Sequence, residues 1–419
     1  MPAFKFVHSA DLHIDSPIKG LKSRDPIVGK RVEKAGFQAL DNLVALCIRE
    51  SADFLLIAGD AYDGEVPSPY AQVKLRDALQ SLADVGIHTY IVHGNHDPLA
   101  GRYDSVVYPV EAHFFGSEIE WMSHERDGQT LAQIQGVSYP QRDVTENLAA
   151  QFTEPPDSSV FSIGLLHCNL GGNAAHADYA PCSMADLAQK EIEYWALGHV
   201  HKRSVETQQF MTVAYSGNIQ GRDIGEPGAR GCLVVDVNDS GHPSPRFEPL
   251  DVVRWEHVQV AIDDLSGIDA LRDAIVADLR NAQSVADDRD LICRVTLTGR
   301  GALHSDLNSS AAIAGLENLV REEFDLVSPW VWLERIKVNT RTDIDIDLRM
   351  EQDDFLGEVL KSVSTTSFAE LEPLLSEVFS ERADRRNKLS EADVKELQQE
   401  AMTYLLDLLE PGAQSGSTS

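Results

Sequence analysis

A layered α/β fold, two β-sheets packed together and flanked by helices, follows from three observations. Apolar, β-branched runs at residues 4–9, 53–58 and 87–92 read as buried strands, with helix-spaced apolar residues between them. Strand, helix, strand, helix, strand is the order of an α/β domain. Each run also breaks at its carboxyl end into Asp, Asn or His, as Asp11-Leu12-His13, Gly59-Asp60-Ala61-Tyr62-Asp63 and Gly94-Asn95-His96-Asp97. Open α/β sheets place their ligands at that edge. The pattern then returns: His167 closes an apolar run over residues 160–166, and Gly198-His199-Val200-His201 follows residues 194–197.

The elements follow in order. Val32, Leu40, Leu43, Val44 and Cys47 fall on one helix face after the first strand. Ser68-Pro69 is a helix start, with Ser as N-cap and Pro at the first helical position, and Leu75, Leu79 and Leu82 continue that helix. Beyond Asp97, residues 113–115, 119–122 and 131–137 are short strand candidates, and residues 210–215 and 232–237 are expected to complete a second sheet. Gly241, Pro243, Pro245 and Pro249 mark a boundary, so residues 1–249 are read as one domain. Residues 250–340 alternate strand and helix patterns and make a small α+β domain, and residues 341–349 read as a linker. Residues 350–410 are helical, with spans at 355–363, 368–379 and 394–409, and residues 411–419 are a Gly/Ser-rich disordered tail.

Composition bounds the function. The five cysteines are scattered without CxxC spacing, which fits reduced thiols in a cytoplasmic protein. No apolar run approaches the ~18 residues of a membrane helix. The chain runs from Met-Pro-Ala-Phe-Lys-Phe straight into its first motif, leaving no room for a signal peptide. The net charge of −31 argues against an autonomous high-affinity DNA binder, because phosphate contacts dominate such affinity. It leaves room for an enzyme that receives DNA from a partner. One local reversal stands at Lys19, Lys22, Arg24, Lys30, Arg31 and Lys34, against Asp25 and Glu33.

Taken singly, the polar strand ends say little. An Asp-x-His is ordinarily a loop, and His199-x-His201 alone is a surface pair. His8, His88, His93, His113 and His176 read as structural or exposed histidines. The ordered set has a coherent chemistry, however. Carboxylate, imidazole and amide donors suit Mn²⁺, Fe²⁺ or Zn²⁺, whereas a thiolate site needs clustered cysteines. Two such ions ~3.5–4 Å apart clamp a phosphoryl group for in-line displacement. A carboxylate must bridge them, and Asp60 on the middle strand is the natural candidate.

Asp11-x-His13, Gly59-Asp60-x-x-Asp63, Gly94-Asn95-His96-Asp97, His167 and Gly198-His199-x-His201 resemble the five motifs of calcineurin-like metallophosphoesterases. The stretches from Trp195 to Arg203 and from Tyr215 to Arg222, with Thr298-Gly299-Arg300-Gly301, resemble the SbcD-type DNA repair exonuclease branch and, within it, the YhaO-type nucleases. The resemblance implies a two-sheet metallophosphoesterase core, with residues 250–340 as a capping domain, and covers about the first 340 residues.

It further implies that Asp11, His13 and His201 hold one metal and Asn95, His167 and His199 the other, with Asp60 as bridge. His96 resembles the non-ligand catalytic histidine, and Asp63 the acidic residue that orients it. The implied cofactors are two divalent ions, Mn²⁺ with Fe²⁺ or Zn²⁺ as alternatives. The implied activity is DNA exonuclease or endonuclease cleavage in repair. A coiled-coil ATPase of the SbcC type is the implied partner, docking on the C-terminal helices, and a homodimer is left open. Ala61-Tyr62 stands where the repair nucleases more typically carry Leu-Phe. The rivals are a phosphatase or nucleotide phosphodiesterase with the same metals, and an interaction subunit that regulates an ATPase. Protein phosphatases of the superfamily carry an Arg after the residue equivalent to Asp63, and Gly64-Glu65 follows here.

Overall fold

The computed structural model describes residues 1–16, 26–103, 106–171, 179–341, 346–367, 370 and 391–409. Lys19, Lys22, Arg24, His176, the helix expected over 368–379 apart from Glu370, and the tail 411–419 lie outside the described residues.

The first three strands are β1 (Phe4–Ser9), β2 (Phe54–Ala58) and β3 (His88–Val92), paired in parallel. Helices α1 (Pro26–Glu50) and α2 (Pro69–Ala83) make the crossovers. As the Ser-Pro pair predicts, Ser68 Oγ caps α2 by accepting from Ala71 N at 3.2 Å. Alternation along β2 explains the layers. Leu55 and Ile57 pack with Leu43, Leu46, Leu75 and Leu79 of the two helices. Phe54, Leu56 and Ala58 face the opposite way, into a core shared with the second sheet.

That second sheet runs β5 (Glu120–Arg126), β6 (Gln129–Gly136), β7 (Phe161–His167), β8 (Tyr194–Gly198), β10 (Met211–Tyr215) and β9 (Ser204–Gln208) in spatial order. Phe161, Ile163, Leu165, Tyr194 and Ala196 turn inward against Phe6, Phe54, Leu56 and Val92. Phe6 stacks on Phe54 at 5.2 Å and meets Tyr194 of the facing sheet edge-on at 5.1 Å. The sandwich is thus the two-sheet α/β architecture expected from the strand pattern.

Its membership differs from expectation in one respect. Residues 232–237 do not complete the second sheet. They lie in β11 (Gly231–Val237), which pairs antiparallel with β1, and β4 (Ala112–Phe114) and β12 (Pro243–Pro249) occupy the two edges of that same first sheet. A buried apolar strand fits either sheet of a sandwich equally well, so periodicity alone does not choose. The prolines of β12 suit an edge strand, where a missing N–H leaves no gap in the ladder. Asp127 and Gly128, both at positive φ, form the two-residue turn that joins β5 to β6.

The chain divides into two compact units. Met1–His257, Leu279–Arg294 and Phe324–Glu334 form the first, which contains both sheets. Val258–Asp278, Val295–Glu323 and Arg335–Ser419 form the second. Within the second, Leu356 and Leu360 of the helix Phe355–Thr365 are buried with Met402 and Leu406 of the helix Glu391–Leu409. All five cysteines are buried thiols. Among the described residues no helix is long and apolar enough to cross a membrane.

His8 of β1 is wholly buried, as its reading as structural requires. Nε2 lies 3.2 Å from the Leu197 carbonyl, so Nε2 carries the proton and Nδ1 accepts from Tyr194 Oη at 3.1 Å. Burial pushes its pKa down from 6.5 to about 3. The native ring therefore stays neutral while the unfolded ring takes up a proton below 6.5, and the stability it contributes is present above that pH and lost as pH falls toward 3. In His8→Gln, the slope of unfolding free energy against pH between 5 and 6 should fall by about 1.4 kcal/mol per pH unit. Urea denaturation at several pH values measures it, and an unchanged slope would refute the neutral buried ring.

Candidate metal centre

The carboxyl ends of β1, β2, β3, β7 and β8 meet at one edge of the sandwich. His167 Nδ1 donates to the Ala58 carbonyl at 2.9 Å and so joins the ends of β7 and β2 across the two sheets. Space there is too small for side chains on two neighbouring glycines. A Cβ on Gly59, whose φ is +88°, would collide with the His167 ring, and one on Gly94 would collide with the Asp60 carboxylate. The backbone itself is bent at the polar residues. Asp11, His13, Asp60 and His199 have φ of 50°, 43°, 52° and 100°, a region that ordinary residues avoid. Hydrogen bonds hold them there: Asp11 N to Gly59 O and His13 N to Asp60 O, both 3.0 Å, and His199 N to Asp11 Oδ1 at 3.0 Å.

Asp97 organises the two central turns. Its buried carboxylate accepts from Asp60 N at 3.2 Å, Ala61 N at 2.8 Å, Tyr62 N at 3.3 Å and Gly94 N at 2.8 Å. Burial raises its pKa, and the nearby His93 and these N–H donors pull against that rise. The ends of β2 and β3 are therefore locked to one another by a single side chain.

Around this frame all seven candidate ligands converge in two subsets that share Asp60. On one side His13 Nε2 and His201 Nε2 lie 3.1 Å apart, with Asp60 Oδ2 3.7 Å from His13 Nε2 and Asp11 Oδ1 4.0 Å from His201 Nε2. On the other, His167 Nε2 is 3.0 Å from Asn95 Oδ1 and 3.4 Å from Asp60 Oδ2, and His199 Nδ1 is 3.3 Å from Asn95 Oδ1. His96 N donates to Asp60 Oδ1 at 2.9 Å, while its half-buried ring stands edge-on to His13.

The protons show what is missing from these clusters. The bond to Ala58 assigns Nδ1–H to His167, so its Nε2 lone pair faces only an amide oxygen and a carboxylate. His201 Nδ1 is 2.6 Å from Glu226 Oε1 and donates to it, which turns Nε2 toward His13. His13 Nδ1 is 3.0 Å from Asp63 Oδ1, outside hydrogen-bond angles but nearest to that carboxylate. The His167 Nε2 lone pair, facing two oxygen acceptors at these distances, is unfavourably placed unless a cation lies between them. Burial holds the His13 and His167 rings well below their usual pKa and hence neutral. Burial likewise pushes Asp11 up to about 6 and Asp60 well above the carboxylate range, as expected for acids that lack a counter-charge. Neutral imidazoles, an amide oxygen and carboxylates are the donor set of a borderline or hard divalent metal.

Asp63, expected beside His96, reaches further partners as well. Its Oδ1 is 3.0 Å from both His13 Nδ1 and Arg222 Nη1 and 3.5 Å from His96 Nδ1. His96 Nδ1 also lies 3.4 Å from the Asp63 carbonyl, and burial lowers the pKa of the ring. Sequence reasoning missed three residues here. Asp97 had a signal, since Asp in a polar turn commonly accepts from backbone N–H groups. Arg222 closes a stretch that carried the resemblance but was given no role, and Glu226 had no signal, because their meeting with Asp63 and His201 is made by the fold.

Residues 4–203 match the profile of the calcineurin-like phosphoesterases, and residues 255–341 match that of the metallophosphoesterase YhaO middle domain. The uncharacterized metallophosphoesterase YhaO of Bacillus subtilis is 30% identical over 404 residues, 96% of each chain. The DNA double-strand break repair protein Mre11 of Aeropyrum pernix is 25% identical over 276 residues, 62% of this chain and 63% of that protein. Its counterpart in Methanopyrus kandleri is 24% identical over 343 residues, 76% of this chain and 70% of that protein.

Asp97→Ala strands four N–H donors in a dry site. It should lower stability by roughly 3 kcal/mol or more and release the Asp60 turn, lowering metal content as well. Denaturant unfolding and elemental analysis of the purified variant check both. A stable variant with full metal content would show that Asp97 does not organise the site.

Proposed function

We propose that this chain, which belongs to the YhaO-type calcineurin-like metallophosphoesterases and is a metal-dependent phosphodiesterase, hydrolyses the phosphodiester bonds of DNA in repair. The observation that carries this reading is the pair of imidazole, amide and carboxylate clusters meeting at Asp60. Asp11, His13 and His201 would hold one divalent ion, Asn95, His167 and His199 a second, and Asp60 would serve both. Two ions so held would supply a Lewis-acid clamp on a phosphodiester and would lower the pKa of water for in-line attack. Mn²⁺ is the ion proposed, on the oxygen and imidazole character of the donors.

The remaining chemistry belongs to the side chains. His96 is partly exposed at the rim, with its backbone tied to Asp60, so its ring can reach a substrate that the buried ligands cannot. It protonates the leaving oxygen or stabilises the charged transition state. Asp63 holds a carboxylate beside both His13 and His96. The similarity to proteins named for double-strand break repair supports DNA as substrate. The charge of −31 supports a partner that delivers it, and a coiled-coil ATPase of the SbcC type is the partner proposed, docking on the C-terminal helices.

Two variants separate ligand from acid. Asp60→Asn should abolish DNA cleavage with Mn²⁺ and lower occupancy of both ions, and full occupancy would remove Asp60 as the shared ligand. His96→Ala should keep its metal while turnover on DNA falls by roughly 10²–10⁴-fold; loss of metal would make it a ligand instead. If the native chain cleaves chromogenic phosphodiesters or nucleotides but not DNA, with or without the ATPase, the nucleotide phosphodiesterase reading replaces this one.

Truncation after Asp347 should leave hydrolysis of a chromogenic phosphodiester near normal and abolish co-purification with the ATPase. Unchanged co-purification would remove the C-terminal helices as the docking surface.

A further inference from the structure

One cation touches the outer side of the site without touching a candidate ligand carboxylate. Arg222 Nη1 lies 3.0 Å from Asp63 Oδ1. Its Nη2 lies 3.2 Å from both Glu226 Oε1 and His201 Nδ1, and its backbone N donates to Glu226 Oε2 at 2.9 Å. These are the two carboxylates behind the rings of His13 and His201. A single guanidinium therefore joins the outer partners of both imidazoles whose Nε2 atoms face each other at 3.1 Å. Behind His167 stands the Ala58 carbonyl instead.

The rest of the surroundings bear on the same point. Ser16 Oγ donates to Asp63 Oδ2 at 3.2 Å and Asn218 Nδ2 to Glu226 Oε2 at 2.8 Å, so each carboxylate is fixed from a second direction. Burial alone would raise Glu226, but the bond from His201 and the charge of Arg222 overcome it and hold the carboxyl well below its usual range. The loop is shaped for this meeting. Gln220 accepts from Val252 N at 2.9 Å and donates to Val253 O at 2.6 Å, and the Gly221 carbonyl accepts from Trp255 Nε1 at 3.0 Å. The backbone leading into Arg222 is thereby held.

We propose that Arg222 is a positioning residue for one of the two metal sites, clamping His13 and His201 through Asp63 and Glu226 and leaving the Asn95, His167 and His199 site to its own supports. This rests on the two-ion reading of the proposed function. Two effects of Arg222 oppose each other. Its positive charge repels a nearby cation, so removing it would tighten binding by charge alone. Its planar fork orients two carboxylates at once, and loss of such an outer support typically lowers metal affinity by about 10–100-fold. The fork geometry is what a lysine lacks, since it presents a point charge in place of a plane.

The test is titration of metal-free full-length protein with Mn²⁺, read by calorimetry and by the paramagnetic resonance of the ion pair. Arg222→Lys keeps the charge and Arg222→Gln removes it. Both should bind one ion about 10–100-fold more weakly and the other within about threefold, and the signal of the coupled pair should give way to that of a single ion. Native-like affinity for both ions in Arg222→Lys, or tighter binding in Arg222→Gln, would overturn the proposal, the first because geometry then has no effect and the second because charge alone rules. Equal weakening of both ions would also overturn it. Unfolding midpoints of the metal-free variants equal to the native value show that metal is lost without loss of fold. Where a variant fails to fold, Glu226→Gln provides the same reading from the other end of the clamp. A native chain that binds fewer than two ions would overturn the two-ion reading itself, a result distinguishable from any behaviour of the variants.

Discussion

The candidate centre depends on one buried carboxylate. Asp97 gathers N–H groups from the ends of two strands, and the turns it fixes carry Asp60, Asn95 and His96. Without it, those turns would have to find partners for buried donors at the edge of a dry core. The strain held in place is considerable. Four of the candidate ligands sit at positive φ, where each non-glycine costs about 1–3 kcal/mol. Such a conformation persists only where the surroundings over-determine it. The aromatic core of Phe6, Phe54, Phe161 and Tyr194 between the sheets is that surrounding mass.

The site also holds an electrostatic tension that the protein alone does not relieve. Buried Asp11 and Asp60 resist ionisation, and the His167 Nε2 lone pair faces only oxygen atoms. Each feature is unfavourable by itself. Together they describe a cavity whose lowest energy comes with positive charge inside it. The overall acidity of the chain works in the same direction for metal ions and against it for nucleic acid. Binding of the cofactor and recruitment of a polyanion are thereby separate problems, met by different parts of the molecule or by different molecules.

Much of this was legible before any coordinates. The runs at β1, β2 and β3 and the Ser68-Pro69 start of α2 stand out because local signals agree with the tertiary arrangement. The ligand-type residues were legible because each follows a strand directly. What escaped was set by distant contacts. Strand β11 could have joined either sheet, and β9 is exposed along its whole length, so no apolar alternation marks it. Residues 243–249 look like a linker by their prolines yet form an edge strand. Asp63 follows a familiar spacing, but whether it leans toward His96 or His13 is decided by Arg222, which lies 159 residues away in sequence.

The glycines at the strand ends have a consequence for redesign. Beside Gly59 and Gly94, Gly198 also lacks room, since a Cβ there would run into the Ala58 carbonyl of the facing sheet. These three positions gauge how closely the two sheets approach, and the obstructing atoms are backbone or the donors themselves. A mutational library directed at them would return only losses. The rim at half-exposed His96 meets no such wall. New substrate preference would thus be sought at the mouth of the site, while the floor behaves as a fixed mould.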